Sequence, residues 1–107
     1  MTRGAEIEAV LAQGKRIRTR HLELRIAASP LSHPRIGLIV GKRGHTSVER
    51  NRLKRRLREA LRLETVSDLP PVDLVIRVNP SSYDCSFATL RLDVSNALGR
   101  LKRSFAP

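Results

Sequence analysis

Aromatic side chains are scarce in this 107-residue sequence, which has one tyrosine (Tyr83), two phenylalanines (Phe87 and Phe105) and no tryptophan. A surface that holds nucleic-acid bases by stacking needs exposed rings, so rings cannot be the main device here. Cysteine is reduced to Cys85, which excludes an internal disulfide and fits a reducing cytosol. No histidine stands near it in sequence to activate a nucleophile. His21, His33 and His45 are scattered without metal-ligand spacing, so no metal site is expected. Acids are few, 10 against 21 Lys and Arg. They are also dispersed, whereas a nuclease wants clustered carboxylates for metals or a histidine pair for proton transfer. The chain is therefore expected to carry no catalytic residue of its own. No stretch approaches the roughly 20 apolar residues of a spanning helix, and the opening MTRGAEIEAV lacks a signal peptide's apolar centre. A membrane is not an expected partner, and the cytoplasm is the expected compartment.

Positive charge dominates what remains. The formal net charge is +11 and the sequence pI is about 11.5, which makes nucleic acid the first partner to consider. The length suits one domain, residues 1–107, with one modest core.

The charge is densest from Lys42 to Arg62, KRGHTSVERNRLKRRLREALR. Between Lys42 and Arg58 stand eight Lys or Arg (42, 43, 50, 52, 54, 55, 56, 58) against one acid, Glu49. Thr46 followed by Glu49 fits the capping box of a helix start. Leu53, Leu57, Ala60 and Leu61 then recur at three- and four-residue steps and trace one apolar stripe. At about 100° per residue, Asn51, Lys54, Arg55, Arg58 and Arg62 fall on the other side. Like charges at helical spacing repel, so a one-signed row makes physical sense against a phosphate backbone. The competing reading is a solvated helix face.

Read in order, Glu6 to Gln13 is a short helix with Ile7, Val10 and Leu11 on one face and Gly14 as its stop. Lys15, Arg16, Arg18 and Arg20 follow as a second basic patch, with room for a short strand. Thr19 to Ala28 alternates, Leu22, Leu24 and Ile26 pointing one way and His21, Glu23 and Arg25 the other. Arg35 to Val40 alternates again, and pairs most simply with the preceding strand, antiparallel across the proline-bearing connection. The basic helix runs from about Ser47 to Arg62. Val72 to Val78, nearly all apolar and β-branched, reads as a strand covered on both faces. Asn79 to Ser82 is a turn. A last helix, about Ser86 to Arg103, carries Phe87, Leu90, Val94, Ala97, Leu98 and Leu101 at core spacing. The fold class is α/β (α+β), a two-layer sandwich with a small mixed sheet in the order α-β-β-α-β-α.

The run Val48 to Ala60, with Arg50-Asn51-Arg52, then Lys54-Arg55, then Leu57-Arg58-Glu59, resembles the signature helix of the bacterial ribonuclease P protein component. The helix ending in Gly14-Lys15, the Arg35-Ile36-Gly37-Leu38 strand, Lys42-Arg43 and the Asp73-Leu74-Val75-Ile76 strand are similar too. The resemblance spans about Glu6 to Lys102. It implies a protein subunit that assists a catalytic RNA in removing the 5′ leader of precursor tRNA, with magnesium brought by the RNA and no cofactor held by the protein alone. A monomer when free, and a left-handed crossover around the signature helix, are part of the same expectation.

By position, the resemblance assigns Arg50, Asn51, Arg52, Lys54, Arg55 and Arg58 to the catalytic RNA, and Lys42, Arg43 and Arg62 of the same basic stretch join them as RNA-binding candidates. It puts the leader in a cleft formed by Ile7, Leu11, Arg25 and Arg35, with Lys15, Arg16, Arg18 and Arg20 as the second basic patch. An internal ion pair with Asp73 competes for Arg50, and packing of its stem competes for Arg56. Family members commonly offer aromatic rings in the cleft, and here none stands there. Arg25 can stand in by laying its guanidinium plane on a base, while Glu23 on the same face opposes phosphate. The rival readings are a ribosomal or other structural RNA-binding protein, and a DNA-binding module with the basic helix in a major groove.

Overall fold

The computed structural model describes residues 4–29, 34–41, 46–64 and 69–104. The elements are α1 (Gly4–Gln13), β1 (Lys15–Arg18), β2 (Leu22–Ala28), β3 (Arg35–Ile39), α2 (Ser47–Leu63), β4 (Val72–Val78), a 3-10 turn (Pro80–Tyr83) and α3 (Phe87–Ser104). This is the expected order, and the short strand after the first helix is present as β1. β2 starts later than the alternation suggested, because Thr19 closes a turn in which its amide donates to the Leu22 carbonyl (2.9 Å).

The sheet order is β1-β2-β4-β3. β2 does not pair with β3, contrary to the expected hairpin. β4 lies between them, antiparallel to β2 and parallel to β3. The reason lies in composition. Five consecutive β4 residues from Val72 to Ile76 are buried, and a strand so apolar needs neighbours on both edges and cover on both faces. A β2–β3 hairpin would leave its amides unpaired at an edge. β3, α2 and β4 thus form a parallel βαβ unit.

One face of the sheet supplies Ile17, Leu22, Leu24, Ile26, Val72, Leu74, Ile76 and Val78 to a core shared with α2 and α3. Leu53, Leu57, Ala60 and Leu61 of α2 are all buried there, as the stripe required, and so are Leu90, Val94, Ala97, Leu98 and Leu101 of α3. Each large side chain so buried contributes about 1.5–3 kcal/mol. Phe87, Cys85 and Tyr83 pack against the rim of this core, so neither described ring is on the opposite face.

That opposite face is crossed by α1, which packs on β2 and β4 and buries Val10. Its exit is tight. The Gly14 amide donates to the Val10 carbonyl at 2.6 Å. A Cβ at Gly14 would lie 2.4 Å from that oxygen and 3.0 Å from the Ile26 nitrogen, so only glycine lets the helix end against the sheet.

His21, expected to face outward, is buried instead. Asp93 of α3 accepts from the Thr19 hydroxyl (2.5 Å) and the His21 amide (3.1 Å) through Oδ2. The His21 carbonyl accepts from Ser82 Oγ (2.8 Å) and the Asn79 amide (2.8 Å), and its Nδ1 lies 2.8 Å from Ser81 Oγ. This knot pins the β1–β2 turn to α3 and to the turn after β4.

Candidate nucleic-acid interface

α2 begins where its capping box predicts. The Glu49 amide donates to Thr46 Oγ1 and the Thr46 amide to Glu49 Oε1, each at 3.1 Å. The box satisfies helix-end amides that would otherwise lack partners and fixes the rotation of the face that follows. With the leucine stripe inward, Asn51, Arg52, Arg55, Arg58 and Arg62 are exposed and Arg50 and Lys54 half-buried. Among the described residues Arg52, Lys54, Arg55 and Arg58 have no carboxylate within ion-pair range. Arg62 is engaged with Glu59 (2.5 Å), a hydrogen-bonded pair that lowers the Glu59 pKa and raises that of Arg62. The pair is fully exposed and screened by salt. Lys42 and Arg43 lie outside the described residues.

Arg50 does not pair with Asp73. Its Nη2 donates to Ser47 Oγ (3.2 Å), and its Nε is buried with no hydrogen-bond partner. Asp73 belongs to Arg35, which reaches it through Nε (2.8 Å) and Nη2 (2.7 Å). That fork, chiefly its hydrogen bonds, holds the Asp73 carboxyl below the usual carboxylate range. Arg35, expected in the cleft, is thus committed to an internal pair.

The outer sheet face is laid out by register. Arg18, Glu23, Arg77 and Ile39 form one cross-strand row, and Arg16, Arg25, Val75 and Gly37 the next. Glu23, unexplained by sequence, now has a role. It accepts from Arg25 Nε at 3.1 Å and lies 3.9 Å from Arg16. Arg25 Nη1 also donates to the Leu11 carbonyl (3.4 Å), in the last turn of α1 where the helix dipole favours a cation. Ile7 and Leu11 are half-buried on α1. Lys15, Arg16, Arg18 and Arg20 are all exposed, at and just beyond the β1 edge.

Arg77 was missed by sequence reasoning. It is the one exposed position in β4, and its signal was a lone cation in an otherwise apolar strand. Cys85 is half-buried, and burial pushes its thiol pKa up, the opposite of an activated nucleophile. Among the described residues no group of three His, Cys, Asp or Glu could hold a metal, and no helix is long and apolar enough to cross a membrane.

A small α+β protein with a cationic helix on one side of its sheet and an arginine-lined face on the other belongs to the class that binds polyanions. Comparison with known proteins narrows the class. The family model described as Ribonuclease P matches residues 1–102. The ribonuclease P protein component of Syntrophobacter fumaroxidans is 39% identical over 94 residues, covering 87% of this chain and 76% of the relative. That of Mycobacterium avium is 36% identical, covering 100% and 94%. The solved ribonuclease P protein of Staphylococcus aureus superposes with a TM-score of 0.87 at 19% identity, covering 95% of this chain and 94% of the other. The chain belongs to the ribonuclease P protein family. The rival readings, a ribosomal protein or a DNA-binding module, are not favoured by these matches.

Proposed function

We propose that the chain binds the catalytic RNA of ribonuclease P through the α2 face, and the 5′ leader of precursor tRNA through the outer sheet face beside α1. It thereby promotes endonucleolytic removal of the leader in the cytoplasm. The observation that carries this reading is the row Arg52, Lys54, Arg55 and Arg58, which has no carboxylate in ion-pair range among the described residues. Such a row repels itself in the free protein and gains on meeting phosphates, whose condensed counterions are released. Arginine's planar fork suits two phosphate oxygens at once, which a lysine ammonium cannot match. Asn51, exposed among them, adds a neutral donor and acceptor for an RNA group or a metal-bound water.

The leader is held differently. The described rings pack on the core side, so the strands offer Arg16, Arg18, Arg25 and Arg77 instead of stacking platforms. Glu23 holds Arg25 Nε, and the Leu11 carbonyl accepts from Nη1, which ties the guanidinium to the sheet and to the end of α1, where it can meet a base or a phosphate. Catalysis falls to the RNA. The RNA partner also brings the magnesium that the reaction requires.

The test is reconstitution: the purified chain is added to a bacterial ribonuclease P RNA at low magnesium and leader release is followed. Stimulation by the protein, with no cleavage by protein alone, is the expected result. Absence of stimulation removes the reading, and cleavage without RNA removes the non-catalytic assignment.

A further inference from the structure

A third cationic feature lies away from both the α2 face and the outer sheet face. Between the β1–β2 turn and the C-terminal half of α3 runs an open groove of about 510 Å³, lined by Thr19, Arg20, Asn96, Gly99, Arg100 and Arg103 among others. Three arginines from two distant stretches converge there. Arg100 reaches across to donate to the Arg18 carbonyl, so one wall is a guanidinium held in place. Arg20 and Arg103 are exposed. The one carboxylate in the lining, Asp93, is buried, and its Oδ2 already accepts from the Thr19 hydroxyl and the His21 amide. The groove is therefore positive at its mouth, with its negative charge turned into the fold.

Gly99 is the second observation. A glycine inside a helix weakens it relative to alanine and is commonly explained by close packing. No close packing exists here: a Cβ at Gly99 would meet nothing within 4 Å. Its effect is to leave the groove open where a side chain would partly fill it. The position of the groove matters too. β1 is the edge strand of the sheet, and Arg16 and Arg18 carry positive charge from the outer face to that edge, where Arg20 continues it.

We propose that this groove binds the phosphodiester backbone of an RNA strand rounding the β1 edge, with Arg20 and Arg103 contacting phosphates and Asn96 offering a neutral hydrogen bond. The proposal rests on the reading that the chain works on RNA. The strand can come from the catalytic RNA or from the precursor tRNA, and the two are separable by experiment.

Salt dependence is measured for the full chain binding a bacterial ribonuclease P RNA, and separately for the reconstituted holoenzyme binding precursor tRNA. In the arm whose RNA fills the groove, Arg20→Gln with Arg103→Gln lowers the log–log salt slope by about 1.4–1.8 units, since two phosphates are no longer neutralised. Gly99→Leu changes no charge and strengthens the helix, yet lowers affinity several-fold in the same arm by filling the groove. A wild-type slope for the arginine pair in both arms overturns the proposal. So does wild-type affinity for Gly99→Leu, because the arginines then act only as diffuse charge. Arg55→Ala with Arg58→Ala is run alongside. If that variant alone loses slope, the groove fails and the RNA-binding reading stands; if none of the variants loses slope, the reading fails with it.

Discussion

Arg35 and Asp73 sit opposite each other in the β3–β4 register, and their fork does two things at once. It satisfies a carboxylate buried in the central strand, and it withdraws Arg35 from the pool of cations offered to RNA. Asp73→Ala removes the carboxylate that the half-buried Arg35 guanidinium forks and is expected to cost about 1.5–3 kcal/mol of stability, the range for a hydrogen bond to a charged group, measured by urea unfolding. The pH dependence has a definite sign. Asp73 has a lowered pKa in the fold, so the unfolded chain takes up the proton first as pH falls. The stabilisation is complete above the unfolded carboxylate value of about 3.9 and is lost as pH drops through the lower folded value. Below pH of about 4 the wild type should lose stability more steeply than Asp73→Asn; parallel profiles would discard the assignment. Sequence reading offered Asp73 to Arg50, because a pattern along one chain cannot say which of two arginines a strand register will put across from an acid. Arg77 was overlooked for the same reason. Its exposure depends on α1 covering Val75 while leaving the next outward position bare.

α2 was the most readable element, because its cap, stripe and charge all depend on residues within 17 positions of one another. Local rules suffice there: Thr46→Ala removes a cap acceptor and should cost about 0.5–2 kcal/mol, seen as a lowered thermal midpoint with the fold retained. The strand pairing was not local, and there the reading failed. β2 and β3 are neighbours in sequence, yet β4 displaces one from the other because it is the strand buried almost throughout and takes an interior place. A pairing decided by competition among three strands is invisible when each is scored separately. Functionally, α2 yields a second expectation. Arg55→Ala with Arg58→Ala should weaken binding to the catalytic RNA and reduce the salt slope by about 0.7–0.9 for each phosphate left without its arginine. A slope equal to wild type would reduce the row to a solvated helix face.

Across the whole molecule, +11 of net charge is divided by the sheet. α2 and α3 pack on one face, while Arg16, Arg18, Arg25 and Arg77 are set by register on the other, beside α1. Charges on opposite sides of a layer of side chains are far enough apart to be screened from each other at physiological salt, where the Debye length is about 8 Å. They should therefore act as two separable contacts, and effects of variants on distant sites add. Arg16→Gln with Arg77→Gln removes cations from the outer face without disturbing the Arg25–Glu23 contact or any buried group. In the reconstituted holoenzyme this variant should weaken binding of precursor tRNA that carries a leader, and leave binding of mature tRNA unchanged. The α2 variant should do the reverse in kind, weakening assembly with the catalytic RNA whether or not a leader is present. Combining them should give the sum of the two free-energy losses. With few rings on this chain, the leader's contribution should also be strongly salt-dependent and nearly indifferent to leader sequence, because phosphates carry charge but no sequence. Leader-sequence preference surviving at high salt would mean that base contacts, not arginine–phosphate pairs, hold the strand on the sheet.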